Sequence, residues 1–293
     1  MRNSPNCRAY IHTLFVCVLL IGSLLVLPFP ASAQLFPFAF WAKKACPPNY
    51  VRVPALAGYT TQDFCVGKYE AKNVGSVGVS QSAGNPWNTI NRPNSITACQ
   101  ANGVGYDLMT NAQWQTLARN IELVPSNWSS GVVGTGHINR GNSNSNGSTN
   151  GCTGSDGLYG NNGSAGCGST VNFALKRTHT LSNGEVIWDL AGNNSEWIKD
   201  GNSSQGINTF QSLVTNSTAK ALFGPAGDYT SLNSGEYGGL GKFSSSSAGG
   251  ATFRGAMWSA GTEAGIFFVQ TAFSNADAYS DMGFRCAYTL YKE

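Results

Sequence analysis

Charge is scarce in this chain. Asp, Glu, Lys and Arg make up 11% of its 293 residues, for a formal net charge of +3. A nucleic-acid or anionic-membrane surface needs clustered Lys and Arg, so neither kind of partner is expected. Histidine is scarcer, with 3 in all. Past residue 33 no run approaches the ~20 apolar residues that span a bilayer. Cysteine is absent from the whole interval between Cys167 and Cys286. Against these shortages stand 36 glycines and many Ser, Thr and Asn, a composition that suits a turn-rich extracellular scaffold kept soluble by neutral polar groups.

The one strongly apolar stretch, Leu14 to Leu27, follows Arg2 and Arg8 and precedes Ala31-Ser32-Ala33. Basic start, apolar middle and small-residue end are the three parts of a cleaved signal peptide, and Pro28 and Pro30 end the run too early for a stable span. The expected organisation is a leader over 1–33, a linker over 34–45 and a single domain over 46–293. The mature protein is then secreted, periplasmic or held in the cell envelope, with no membrane span after cleavage.

Cys7 and Cys17 leave with the leader, while Cys46, Cys65, Cys99, Cys152, Cys167 and Cys286 remain. An even number in an exported chain reads as a disulfide framework, although six cysteines allow ~15 connectivities. Zinc would need closely spaced Cys or His pairs, and the shortest gap, Cys152 to Cys167, has no histidine beside it.

Few helix signals appear. "SITACQANG" opens on Ser95 and closes on Gly103, and "TNAQWQTLARNIE" opens on Thr110 or Asn111 with Ala112, Trp114, Leu117 and Ala118 as an apolar face. Strand-like runs are "YVRVPAL", "DFCVGKYEA", "EVIWDLAG", "ATFRGAMW", "AGIFFVQTA" and "MGFRCAYTL". The class is α+β, with two short helices, short strands and long loops. Asn139 to Asn162 is almost entirely Asn, Gly and Ser, which carries too little apolar surface to offset ordering and reads as a long loop tied by its cysteines.

Five blocks in order carry a resemblance: "CVGKYEAKN" from Cys65, "YDLMTNAQWQTLAR" from Tyr106, "GEVIWDLAGNNSEW" from Gly184, "FRGAMW" from Phe253 and "GFRCAY" from Gly283. Together they resemble the formylglycine-generating enzyme, or sulfatase-modifying factor, domain over roughly Cys46 to Tyr288. The resemblance implies a C-type-lectin-like fold, with short antiparallel strands, two helices and extensive loops. It also implies the pairings Cys99–Cys286, Cys46–Cys65 and Cys152–Cys167.

Enzymes of that family oxidise a substrate cysteine with a copper ion held by two cysteines just beyond the block matched by "FRGAMW". Soft thiolates suit Cu(I), and hydroxyl or carboxylate does not replace them. Here that segment reads "SAGTEAGIFF", with Ala260 and Gly265 near where thiols are wanted, so copper is not expected and catalysis of this kind lacks its ligands. His137 and His179 read as loop or core hydrogen-bonders, since no nucleophile motif frames them.

Calcium is the ion the resemblance implies, through Ala191, Gly192, Asn194 and Glu196, with oxygen ligands of the type calcium favours. The alternative for Glu196 is a buried carboxylate held by backbone N–H groups or an arginine. Both readings stay open at this point. The remaining functional expectation is a binding surface in the segment 258–281, where the family carries ligand-contacting diversity. Trp258, Glu263, Gln270, Asp277 and Tyr279 are its candidate ligand-binding residues, and a protein, peptide or glycan its candidate partner. A formylglycine-generating oxidase and a cell-envelope structural protein are the competing functions.

Overall fold

Regular structure begins where the alternation does. In β1 (Tyr50–Val53) Val51 and Val53 are buried, while Tyr50 and Arg52 are partly exposed, the period of two that a strand covered on one face requires. The computed structural model describes residues 45–143, 173–200, 211–212, 217–229, 237–244 and 250–290, all within a unit that runs from Lys44 to Glu293. The leader, the linker through Lys44 and the Cys152–Cys167 pair lie outside the described residues.

After β1 come β2 (Phe64–Gly67), β3 (Ala71–Val74), β4 (Val77–Ser80), α1 (Arg92–Gln100), β5 (Tyr106–Leu108) and α2 (Asn111–Glu122). Then follow β6 (Thr178–Thr180), β7 (Val186–Trp188), β8 (Ser195–Trp197), β9 (Gln211–Ser212), α3 (Ser217–Phe223), β10 (Lys242–Ser244), β11 (Ala251–Arg254), β12 (Val269–Phe273), β13 (Met282–Phe284) and β14 (Cys286–Thr289). The architecture is mixed α+β with short strands, mostly antiparallel. One sheet has the order β1-β2-β14-β5; a second has β13-β8-β11-β12-β10-β9; β3–β4 and β6–β7 are separate hairpins. Two pairings, β10 with β12 and β13 with β8, are parallel, which the sequence reading of an antiparallel fold did not include.

Both expected helices form, and their ends show why. Thr110 caps α2 by accepting from the Gln113 amide while the Gln113 side chain accepts from the Thr110 amide, so two otherwise unpaired donors are satisfied. Helix α1 begins earlier than the Ser95 start expected. Asn91 accepts from the Asn94 amide at 3.0 Å and is the true cap, and Pro93 fits in the first turn because its missing N–H is one the helix does not use. The third helix, α3, is a correction to the two expected; its STAKALF sequence is made largely of good helix formers.

The run MGFRCAYTL, expected as one strand, is two. It breaks at Arg285, so β13 joins the six-stranded sheet and β14 the four-stranded one. A bridge at Cys99–Cys286 ties α1 to β14, and one at Cys46–Cys65 ties the chain ahead of β1 to β2. These are two of the three pairs the resemblance implied.

The six-stranded sheet has apolar packing on both faces. One cluster gathers Trp114, Leu117, Ile187, Phe243, Ile266, Phe267 and Val269. The other gathers Trp197, Phe253, Phe268, Met282, Phe284 and Cys99. Strand alternation assigns the sides: in β11 Phe253 meets Trp197 with ring centroids 5.7 Å apart, while its neighbour Arg254 points the other way, 5.6 Å over the Trp114 ring. Arg254 is buried and donates to Asn111, Gln115 and the Phe223 carbonyl. Burial pushes its guanidinium down to about 9.

The described start of the Asn-rich stretch is loop, as expected. Its Asn139, Asn142 and Ser143 are nonetheless buried. Asn139 Nδ2 donates to the carbonyls of Lys176 at 2.7 Å and Thr178 at 3.0 Å, and Asn142 Nδ2 donates to Asn193 at 2.9 Å. Polar composition marks a loop, but asparagine can be buried where it completes backbone hydrogen bonds that no strand supplies.

Candidate functional site

A pocket of about 400 Å³ opens between β8, β11, β12 and the segment that leads into β13. Phe253 and Phe273 form an aromatic wall, their centroids 4.8 Å apart, and Tyr279 stands edge-on to Phe273 at 6.1 Å and 75°. Met257 adds a flexible apolar side. Four polar residues, Ser195, Gln270, Ser280 and Asp281, join the lining, with the Ser195 hydroxyl itself buried.

Local structure explains the arrangement. Phe253 and Gln270 are register partners across β11 and β12, so the period of two puts both on one face. Ser195 and Trp197 share a face of β8, and Glu196 between them faces the opposite way. The rim is fixed by backbone ties: Thr89 N–H donates to the Tyr279 carbonyl at 3.0 Å, Ser195 N–H to the Asp281 carbonyl at 2.8 Å, and Asn88 Nδ2 to the Ser280 carbonyl at 2.7 Å. A loop held in this way costs little ordering when a ligand arrives.

The five residues expected to bind ligand do not act together. Gln270 and Tyr279 line the pocket, and Tyr279 is 52% exposed. Trp258 is half-buried with its N–H donating to the Asn193 carbonyl at 2.9 Å, and it is not among the lining residues. Asp277 accepts from the Ser274 amide at 2.8 Å and so shapes its own turn. Glu263 is paired with Lys242. Asp281, Ser195 and Met257 are the residues sequence reasoning missed. Only Asp281 carried a signal, as an acid immediately ahead of an apolar strand.

Behind the pocket lies a buried set of charges. Arg285, at the break between β13 and β14, donates to Glu196 at 2.7 Å through Nη2 and at 3.2 Å through Nε, to the Gly67 carbonyl at 2.8 Å and to the Trp188 carbonyl at 2.8 Å. Arg177 grips Asp189 with two bonds of 2.6 Å. Glu70 accepts from the Asn194 amide at 2.9 Å and from the Asn193 side chain. With Lys72, acids and bases in this group are equal in number, which is how buried charge is tolerated. Burial, reinforced by Asp189, pushes the Glu70 carboxyl up to about 8, and burial lowers Lys72. Burial raises Glu196 while Arg285 opposes it.

Glu196 therefore follows the arginine-held alternative. Its two oxygens accept from a guanidinium whose charge opposes a divalent ion, so this carboxylate does not fit calcium. The other members of the implied set lie in closely packed backbone. Gly192 N–H donates to the Gly255 carbonyl at 3.0 Å and Asn194 N–H to Glu70, while the Ala191 carbonyl lies so close to Gly141 that a Cβ there would collide. Among the described residues no group of three or more His, Cys, Asp and Glu is placed to hold a metal.

No family model matches the chain, and no curated protein matches it. Solved structures also match, and two of them align with most of it. Treponema denticola variable protein 1 does so at 18% identity with a TM-score of 0.36, covering 82% of this chain and 91% of its own. CarF does so at 14% identity with a TM-score of 0.35, covering 83% and 98%. Neither likeness is close enough to assign family or function.

The copper of the implied oxidase can be tested on the residues themselves. Ala260 and Gly265 carry no thiol, and a Cβ on Gly265 would collide with the Gly239 carbonyl and the Gly241 amide. A side chain of any kind does not fit at that position, so the residues present do not suit copper.

Proposed function

We propose that this protein is an exported, non-catalytic binding domain of the C-type-lectin-like, formylglycine-generating-enzyme type. Its ligand, a protein, peptide or glycan, seats in the pocket bounded by Phe253, Gln270, Phe273, Tyr279 and Asp281. The observation that carries the reading is convergence: polar residues from separate elements, Ser195 of β8, Gln270 of β12 and Asp281 ahead of β13, line one pocket with an aromatic wall, beside a half-exposed tyrosine on a tied rim. Concave, mostly apolar sites with a few placed polar groups are where ligands bind, and loops on a rigid core are where such sites are built. Export is supported by the leader-like residues 1–33 and by the disulfides. No helix among the described residues is long and apolar enough to cross a membrane.

Peptide and glycan arrays probed with the mature domain test the reading. Tyr279→Ala and Gln270→Ala should each abolish whichever array signal the wild type gives, with the melting temperature unchanged. Wild-type array signals in both variants would place recognition elsewhere. Oxygen-dependent conversion of a cysteine peptide in the presence of copper would replace binding with oxidation.

A further inference from the structure

We infer that the pocket takes the basic side chain of a polypeptide ligand, a lysine or arginine whose cationic head meets Asp281 and whose stem lies along Phe273 and Tyr279. This rests on the reading above and specifies the ligand chemistry of the same site. Three observations carry it. First, Asp281 is half-buried yet has no cationic partner among the described residues, whereas Arg177, Arg285 and Lys242 each hold a carboxylate. Secondly, Asp281 is the one acidic or basic residue among those lining the pocket, so no basic side chain there opposes an incoming cation. Thirdly, Phe253, Phe273 and Tyr279 stand at angles to one another around this corner, the arrangement in which ring faces attract a cation.

Half-burial raises the Asp281 carboxyl above its ordinary range, with a hydrogen bond from its own backbone N–H acting the other way. A neutral sugar would leave that charge uncompensated; an ammonium or guanidinium removes the deficit. The polypeptide source follows from Tyr279, whose ring extends to the exposed rim. Tyrosine, with its apolar body and polar tip, is enriched where polypeptides meet.

Calorimetry with the mature domain and four probes tests this: acetyl-Gly-Lys-Gly-amide, acetyl-Gly-Arg-Gly-amide, acetyl-Gly-Gln-Gly-amide and n-butylammonium. The expected result is that a Lys or Arg peptide binds, n-butylammonium binds more weakly, and the Gln peptide does not bind. Asp281→Asn should weaken the basic peptide by roughly tenfold or more, at an unchanged melting temperature. Equal binding of the Gln peptide, equal binding in Asp281→Asn, or no binding by either basic peptide overturns the inference. If n-butylammonium matches the peptides, the source is a free amine and the polypeptide claim fails. Loss of an array ligand in Tyr279→Ala would still stand in each of those cases, so failure here is distinguishable from failure of the binding function itself.

Discussion

Replacing Glu196 by glutamine separates the two lives this residue could lead. In the structure Glu196 is 1% exposed, and Arg285, which is 0% exposed, gives it three of its donor contacts. Glutamine keeps the shape and one acceptor oxygen but leaves a buried guanidinium without its counter-charge. Breaking a buried pair by removing one partner costs about 3–5 kcal/mol. The retained carbonyl hydrogen bond puts Glu196→Gln near the lower end, about 3 kcal/mol. In a domain of this size each kcal/mol moves the melting temperature by ~2–4 °C, so a fall of roughly 6–12 °C is expected. Differential scanning calorimetry in calcium and in EGTA supplies the assay. The wild type should melt alike in both buffers, and the variant should be lowered equally in both. A wild type that loses this much stability in EGTA, with a variant indifferent to the chelator, would refute the arginine-held account and restore a calcium ligand. So would a Glu196→Gln variant of wild-type stability.

Three further outcomes follow from the same geometry. His179 is buried, its Nε2 lies 2.9 Å from the Asn139 carbonyl oxygen and its Nδ1 has no partner, and burial holds its pKa down to about 4. The unfolded chain therefore binds a proton that the folded one refuses between about pH 6.5 and 4, so this contribution is complete above pH 6.5 and falls away on acidification, by about 3 kcal/mol in full. Glu70, raised to about 8, acts in the opposite sense between its ordinary value and 8, so the readout is the difference between wild type and His179→Gln in urea denaturation across pH, and an unchanged difference would refute it. Gly192→Ala should destabilise strongly, because φ is +73° and a Cβ would strike the Asn142 carbonyl; wild-type stability in that variant would contradict the packing of the 191–194 turn. Removing the Cys99–Cys286 bridge by double serine substitution should cost about 2–5 kcal/mol in chemical denaturation, and no loss would show that α1 and β14 are held without it.

Local signals in the sequence were accurate where local chemistry decides. Thr110 was one of the two starts expected for α2, and the run YVRVPAL marked β1. Non-local geometry was not legible. Nothing in MGFRCAYTL says that Arg285 must leave the strand line to satisfy Gly67, Trp188 and Glu196 at once, and that demand splits the run between two sheets. The burial of Asn139 and Asn142 was hidden for a similar reason, since their partners come from residues 176–178 and 193. For the candidate site, Gln270 and Tyr279 were visible as polar and aromatic residues in the segment that contributes to the pocket lining. Ser195 lay within the quoted GEVIWDLAGNNSEW block, but its place beside Asp281 depends on the pairing of β8 with β13, which no spacing reveals.

The most direct test of the account is where a bound ligand touches the domain. In an amide-correlation titration with the peptide or glycan selected from the arrays, the side-chain resonance of Gln270 and the backbone resonances of Tyr279 and Asp281 should move first and farthest. Shifts confined to another surface, such as the loop between β1 and β2 that carries Tyr59, with these three unmoved, would contradict it.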